Sequence, residues 1–148
     1  MKDILLKLQI ELKVNKTQFN KFGGYHYRNH EDQCNAIKPL LEKYSVALTL
    51  SDRIIEVGGV PILESVCTLY STTEDKSIAR TSGYSGIDLN RKGMTTEMSF
   101  GSASSYARKY AFNAMFLCDD NKDSDSTHDF NKSQTTKSPA ETEDGEWL

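Results

Sequence analysis

Ser45-Val46-Ala47-Leu48-Thr49-Leu50-Ser51, then Ile54-Ile55-Glu56-Val57-Gly58-Gly59-Val60-Pro61-Ile62-Leu63, running on to Tyr70, carries the signals of two strands joined by a turn. Val46, Leu48 and Leu50 alternate with small or polar residues, the period of two that marks a half-buried strand. Residues 54–57 and 60–70 meet across Gly58-Gly59, a dipeptide free to adopt the positive φ values of a tight hairpin turn. After a polar loop at residues 72–76, residues 77–84 supply a third strand, so the expected sheet is an antiparallel meander. One face of it needs covering. Residues 97–116 can provide the cover: Ala103, Ala107, Tyr110, Ala111 and Ala114 recur at helical spacing and no proline interrupts them, which puts Tyr110 in the core.

Upstream, Ile4, Leu5, Leu8 and Leu12 fall at helical spacing within residues 2–14. Phe22, Tyr25 and Tyr27 surround Gly23-Gly24 in residues 20–28, a turn or short extended segment. A second helix is expected over residues 31–44, with Asn29 as N-cap, Glu31 and Asp32 in the first turn and Ile37, Leu40 and Leu41 inward. Pro39 should kink or split it, because proline lacks the helical N–H. The fold class is therefore α+β, a three-stranded antiparallel sheet covered by helices.

Within 148 residues, the sequence divides into a core at residues 1–118 and a tail at residues 119–148. The core has 15 Lys and Arg against 12 Asp and Glu, net +3, whereas the tail has 3 against 9, net −6. The tail is dominated by Asp, Asn, Ser, Thr, Lys and Pro, with few large apolar residues such as Phe130 and Trp147, a composition expected to be disordered. A mildly basic body with an acidic tail is an electrostatic layout met in nucleic-acid binders. No apolar run is long enough to span a bilayer and no signal-peptide pattern opens the chain, so the expectation is a soluble protein in the cytoplasm, with no membrane partner. Cys34, Cys67 and Cys118 form no CxxC pair and imply neither a disulfide framework nor a zinc site.

Several chemistries are excluded by the residues present. There is no G-x-x-x-x-G-K-[ST] run to cradle a nucleotide's phosphates, so no ATP-driven motor and no cofactor is expected. Asp119, Asn121, Asp123 and Asp125 imitate a calcium loop, but Ser124 stands where glycine is required and Phe130 where a bidentate Glu is required. His26, His30 and His128 share no ligand spacing, and no metal or catalytic residues are assigned. A nuclease using Asp119, Asp120 and Asp123 ranks last among the possible functions.

Residues 99–111, Ser-Phe-Gly-Ser-Ala-Ser-Ser-Tyr-Ala-Arg-Lys-Tyr-Ala, join small residues suited to close packing with Tyr106, Arg108, Lys109 and Tyr110. Arg108 and Lys109 can reach phosphates, and the tyrosines can stack or hydrogen-bond. Gly101 to Ala111, continued by Phe112-Asn113-Ala114-Met115-Phe116-Leu117 and Asp119-Asp120-Asn121-Lys122-Asp123, resembles the signature of the Erf (essential recombination function) family of phage single-strand annealing proteins. Phe22-Gly23-Gly24-Tyr25-His26-Tyr27-Arg28, then Glu31-Asp32 and Lys38-Pro39-Leu40-Leu41, resembles that family's N-terminal element in type and order.

The resemblance implies a β-β-β-α core, homo-oligomers in a ring or filament, and single-stranded DNA held along a basic groove. It makes Arg108 and Lys109 DNA-backbone contacts and adds Lys21, Tyr25, Tyr27 and Arg28 as candidates from the N-terminal element. Tyr25 and Tyr27 could equally anchor the turn onto the core. Arg91 and Lys92, in a basic loop at residues 86–93, complete the candidate set. The function implied is ATP-independent annealing of complementary strands in phage homologous recombination, without enzymatic chemistry. The rival reading is an adaptor for replication or recombination factors. The final Glu143-Asp144-Gly145-Glu146-Trp147-Leu148 reads first as an ordinary solvated end, and its loose resemblance to the acidic tips of single-stranded-DNA-binding proteins, which recruit partners, leaves such a protein as a candidate partner.

Overall fold

In the computed structural model, which describes residues 2–118, the elements run α1 (Lys2–Glu11), β1 (Gln18–Asn20), β2 (Tyr25–Tyr27), α2 (His30–Lys43), β3 (Val46–Val57), β4 (Val60–Ser71), β5 (Lys76–Gly86) and α3 (Thr96–Phe116). Strands β3, β4 and β5 form the antiparallel meander in that order, and β1 pairs with β2 as a separate hairpin. Gly58 and Gly59 turn between β3 and β4 at φ of 60° and 80°, the left-handed backbone that a right-twisted two-residue hairpin demands. Leu48 pairs with Leu69 and Leu50 with Cys67, so the alternation read in the sequence lines one face of the sheet.

That face is covered by α3, which lies across β4 and β5, with α1 and α2 packed beside it. Leu8, Ile37, Cys67, Leu69, Ala111, Phe112, Met115 and Phe116 form the main core. Burial pushes the Cys67 thiol up to about 12, so this cysteine acts as a small hydrophobe. Helix α3 approaches β5 through its alanines. A Cβ built on Gly83 would lie 2.3 Å from the Ala107 carbonyl oxygen and 2.2 Å from the Ala111 nitrogen, and the Thr81 hydroxyl donates to the Ala111 carbonyl at 2.8 Å. Small side chains on both elements thus set the distance between helix and sheet.

The opposite face of the sheet carries no helix from the described residues. Arg53 on β3 and Tyr84 on β5 both hydrogen-bond Glu64 between them on β4, a cross-strand cluster on this face.

Three expectations are corrected. Helix α2 is not split at Pro39 but runs on to Lys43; Pro39 and Asn35, whose carbonyl would have received the missing N–H, both face solvent, where water can satisfy it. Tyr110 is not in the core: the buried residues of α3 are Ser99, Ala103, Ala107, Ala111, Phe112, Met115 and Phe116, and Tyr110 stands to one side of them, 47 % exposed. Ala114 is also exposed, one position from buried Met115. The tail at residues 119–148, with the expected disorder, the carboxylates Asp119, Asp120 and Asp123, and His128, lies outside the described residues. No helix among the described residues is long and apolar enough to cross a membrane.

Candidate nucleic-acid interface

The β1–β2 hairpin is organised by one side chain. Asn20 Oδ1 accepts from the backbone N–H groups of Phe22 at 2.9 Å and Gly23 at 3.1 Å, while Asn20 Nδ2 donates to the Tyr25 hydroxyl at 3.0 Å. The Tyr25 ring fills the space over Gly23, where a Cβ would come within 2.3 Å of it. Tyr25 is thereby the turn's anchor, and it meets Tyr27 edge-on with ring centroids 6.2 Å apart.

At the far end of the hairpin, Asn29 caps α2 through a reciprocal box: its Oδ1 accepts from the Asp32 N–H at 2.9 Å and its own N–H donates to Asp32 Oδ2 at 3.0 Å. Thr17 donates to the other Asp32 oxygen at 2.8 Å, so one carboxylate ties the hairpin's approach to the helix.

Helix α2 in turn fixes the part of α3 that carries the cations. Gln33, 0 % exposed, donates from Nε2 to the Lys109 carbonyl at 3.3 Å and to Asn113 Oδ1 at 2.7 Å, and its Oε1 lies 3.1 Å from His30 Nδ1. From this anchored turn the Lys109 ammonium reaches over the Tyr27 ring, 6.0 Å from its centroid. Tyr106 and Tyr110, three residues before and one after Lys109, stand half-exposed on the same face with ring centroids 6.2 Å apart. Hairpin and helix therefore meet where Lys109 reaches Tyr27, and Tyr106 and Tyr110 flank Lys109 along α3.

The adjacent cation is placed differently. Arg108 Nε lies 3.0 and 3.2 Å from the two Asp52 oxygens and its Nη2 lies 2.9 Å from one of them, with the Ser104 hydroxyl donating to the same carboxylate at 2.6 Å. This fork clamps α3 to β3. Burial pulls the Asp52 carboxyl upward, but the hydrogen bonds from Arg108 and Ser104 outweigh it and hold the group below the usual aspartate range. A depressed folded-state pKa stabilises the fold above the unfolded aspartate's range, and that contribution disappears as pH falls through the depressed value. Asp52→Asn is therefore expected to cost about 1 kcal/mol at neutral pH, the scale of a partly exposed ion pair. In urea titrations its deficit relative to wild type shrinks towards strongly acid pH.

Of the remaining candidates, Lys21 is exposed in the hairpin turn, whereas Arg28 is buried, 8 % exposed, and offers little surface to a ligand. Arg91 and Lys92 are exposed in the loop before α3. Lys109 lies 13 residues beyond Thr96, so the helix alone separates that loop's end from Lys109 by about 20 Å. The structure joins Tyr25, Tyr27 and Lys109, places Tyr106 about one helical turn before Lys109, and leaves Arg91 and Lys92 elsewhere.

The family model described as the ERF superfamily matches residues 2–146. The chain belongs to the Erf family. This Erf chain is 35 % identical over 136 residues to a protein of Salmonella phage P22 named essential recombination function protein. The alignment covers 92 % of the Erf chain here and 63 % of that relative, so the chain spans less than two thirds of the relative's length. No solved structure matches it.

Sequence reasoning did not find the residues that position the Erf surface. Gln33, Asn113, Asp52 and Ser104 act across elements far apart in sequence, and a lone glutamine on a helix carries no local signal of burial. Gln33→Leu removes the side-chain hydrogen bonds to Asn113 and the Lys109 carbonyl, and is expected to cost about 1–3 kcal/mol. Chemical denaturation followed by circular dichroism measures it.

Proposed function

We propose that this Erf chain binds single-stranded DNA and anneals complementary strands in phage recombination, in the cytoplasm of the bacterial host, without a nucleotide cofactor and without cleaving DNA. The observation that carries this reading is the meeting of Lys109 with Tyr27 beside Tyr106 and Tyr110. Cations neutralise phosphates and aromatic faces stack on bases of any sequence, which together hold an extended strand without reading it. Annealing needs no covalent step. The protein's task is to screen phosphate repulsion between two strands while leaving base edges free to pair. The name of the phage P22 relative, essential recombination function protein, supports the biological setting.

A body with a net charge of only +3 holds a strand weakly as one copy. Self-association multiplies the contacts along one strand, so the working form in this reading is a homo-oligomer. Arg108 and Ser104 keep α3 seated on the sheet, Gln33 and Asn113 hold the turn that bears Lys109, and Tyr25 sets the hairpin.

Fluorescence anisotropy of labelled oligonucleotides, in a salt series, tests the binding step. Affinity for poly-thymidine and mixed-sequence strands is expected to be similar, and to fall with a log–log slope of about −0.7 per phosphate neutralised. A folded protein that leaves both strands unbound at low salt overturns the proposal in favour of an adaptor acting on other recombination proteins.

A further inference from the structure

The tip of the β1–β2 hairpin exposes an aromatic ring that the surface described above does not include. Phe22 has a relative exposure of 105 %, the highest among the exposed large hydrophobic residues of the described chain, and its side chain contributes nothing to either core cluster. The turn holding it is built in detail: Asn20 Oδ1 receives the N–H groups of Phe22 and Gly23, the Gly24 N–H donates to the Asn20 carbonyl at 2.8 Å, and the Tyr25 ring occupies the space above Gly23. Gly24 takes a φ of 66°, which costs a glycine little. Three hydrogen bonds and a packed ring thus fix a turn whose most apolar side chain stands in water.

The charge around that ring selects its occupant. Residues 15–30 contain Lys16 and Lys21, the buried Arg28 and no Asp or Glu, together with Phe19, Phe22, Tyr25 and Tyr27. Lys21 is exposed directly beside Phe22. On the other flank of the hairpin Phe19 packs against His26 with ring centroids 4.9 Å apart, and Tyr27 meets Lys109 of α3. An acid-free segment that combines cations with exposed rings suits a polyanion whose repeating units have flat apolar faces.

We propose that Phe22 is a base-stacking contact of the Erf chain, with the β1–β2 hairpin holding its ring against an unpaired nucleobase while Lys21 meets the adjacent phosphate. The proposal rests on the single-stranded DNA reading and extends it from the face of α3 to the hairpin tip. Because Phe22 touches no core residue, its removal leaves folding untouched and its effect appears in binding alone.

The test compares wild type with Phe22→Ala and Phe22→Trp on two probes of equal length, a poly-thymidine oligonucleotide and an abasic strand with the same phosphates. Removing a stacking ring is expected to weaken poly-thymidine binding about 5- to 100-fold, the range for one base–aromatic stack, and to leave abasic-strand binding, the salt slope and the urea midpoint as in wild type. Phe22→Trp, made together with Trp147→Phe so that the hairpin carries the sole tryptophan, retains affinity and its fluorescence is quenched by poly-thymidine. Equal poly-thymidine binding by wild type and Phe22→Ala, or fluorescence of the Phe22→Trp variant that poly-thymidine leaves unquenched, overturns the role of Phe22 while the DNA reading stands. Failure of wild type to bind either probe overturns both.

Discussion

Gly83→Val unfolds the domain, or costs it at least about 3 kcal/mol, the upper range for overpacking a site with no room to relax. Even the first carbon of a side chain at position 83 would lie 2.2 Å from the Ala111 nitrogen and 2.3 Å from the Ala107 carbonyl oxygen. Both are backbone atoms of α3, so no side-chain rotation can clear them, and the helix has to leave the sheet. That displacement breaks the Thr81 to Ala111 hydrogen bond, strips Ala103 and Ala107 from Leu63 and Ile87, and opens the Arg108–Asp52 clamp. Gly86→Ala, on the same strand with nothing within 4 Å of the added carbon, is the control and is expected to change stability little. Urea denaturation of the two variants separates this close approach from a general intolerance of β5.

Lys109→Glu abolishes most DNA binding with little loss of stability. Its ammonium sits over the Tyr27 ring in the proposed surface, and on the proposed DNA-binding reading reversing the charge would replace a phosphate contact with repulsion in each subunit engaged. Affinity at moderate salt is expected to fall at least about tenfold, and the milder Lys109→Gln is expected to flatten the salt slope by about 0.7 for each subunit engaged. The neighbouring Arg108→Gln gives the opposite pattern: lower stability, because Asp52 loses its partner, and a smaller change in salt slope. Anisotropy and denaturation on both variants resolve two adjacent cations that the sequence alone presents as a pair.

The meander was legible because its signals are local. Alternation in Val46, Leu48 and Leu50 and the Gly58-Gly59 turn depend only on neighbours along the chain, as does the Asn29 cap. The candidate surface was legible only in part. Tyr106, Lys109, Tyr25 and Tyr27 stand out by residue type, yet nothing local reveals that Lys109 reaches Tyr27 while Arg108 turns to Asp52, since each partner is on a different element. The placement of Tyr110 failed for a related reason. Helical spacing admits it to the inward stripe, but where α3 crosses Gly83 the backbones lie so close that Ala107 and Ala111 face the strand and Tyr110 is turned aside. Pro39 shows the reverse: a local rule expected a break, and solvent at Asn35 removed the reason for one.

The most direct test of the central claim is the rate at which purified protein pairs two complementary labelled oligonucleotides, without nucleotide or magnesium, across a salt series. Acceleration over the protein-free rate that fades as salt rises, and that Lys109→Glu removes while the protein stays folded, is the predicted result. No acceleration by a folded wild-type oligomer at any salt contradicts the annealing function.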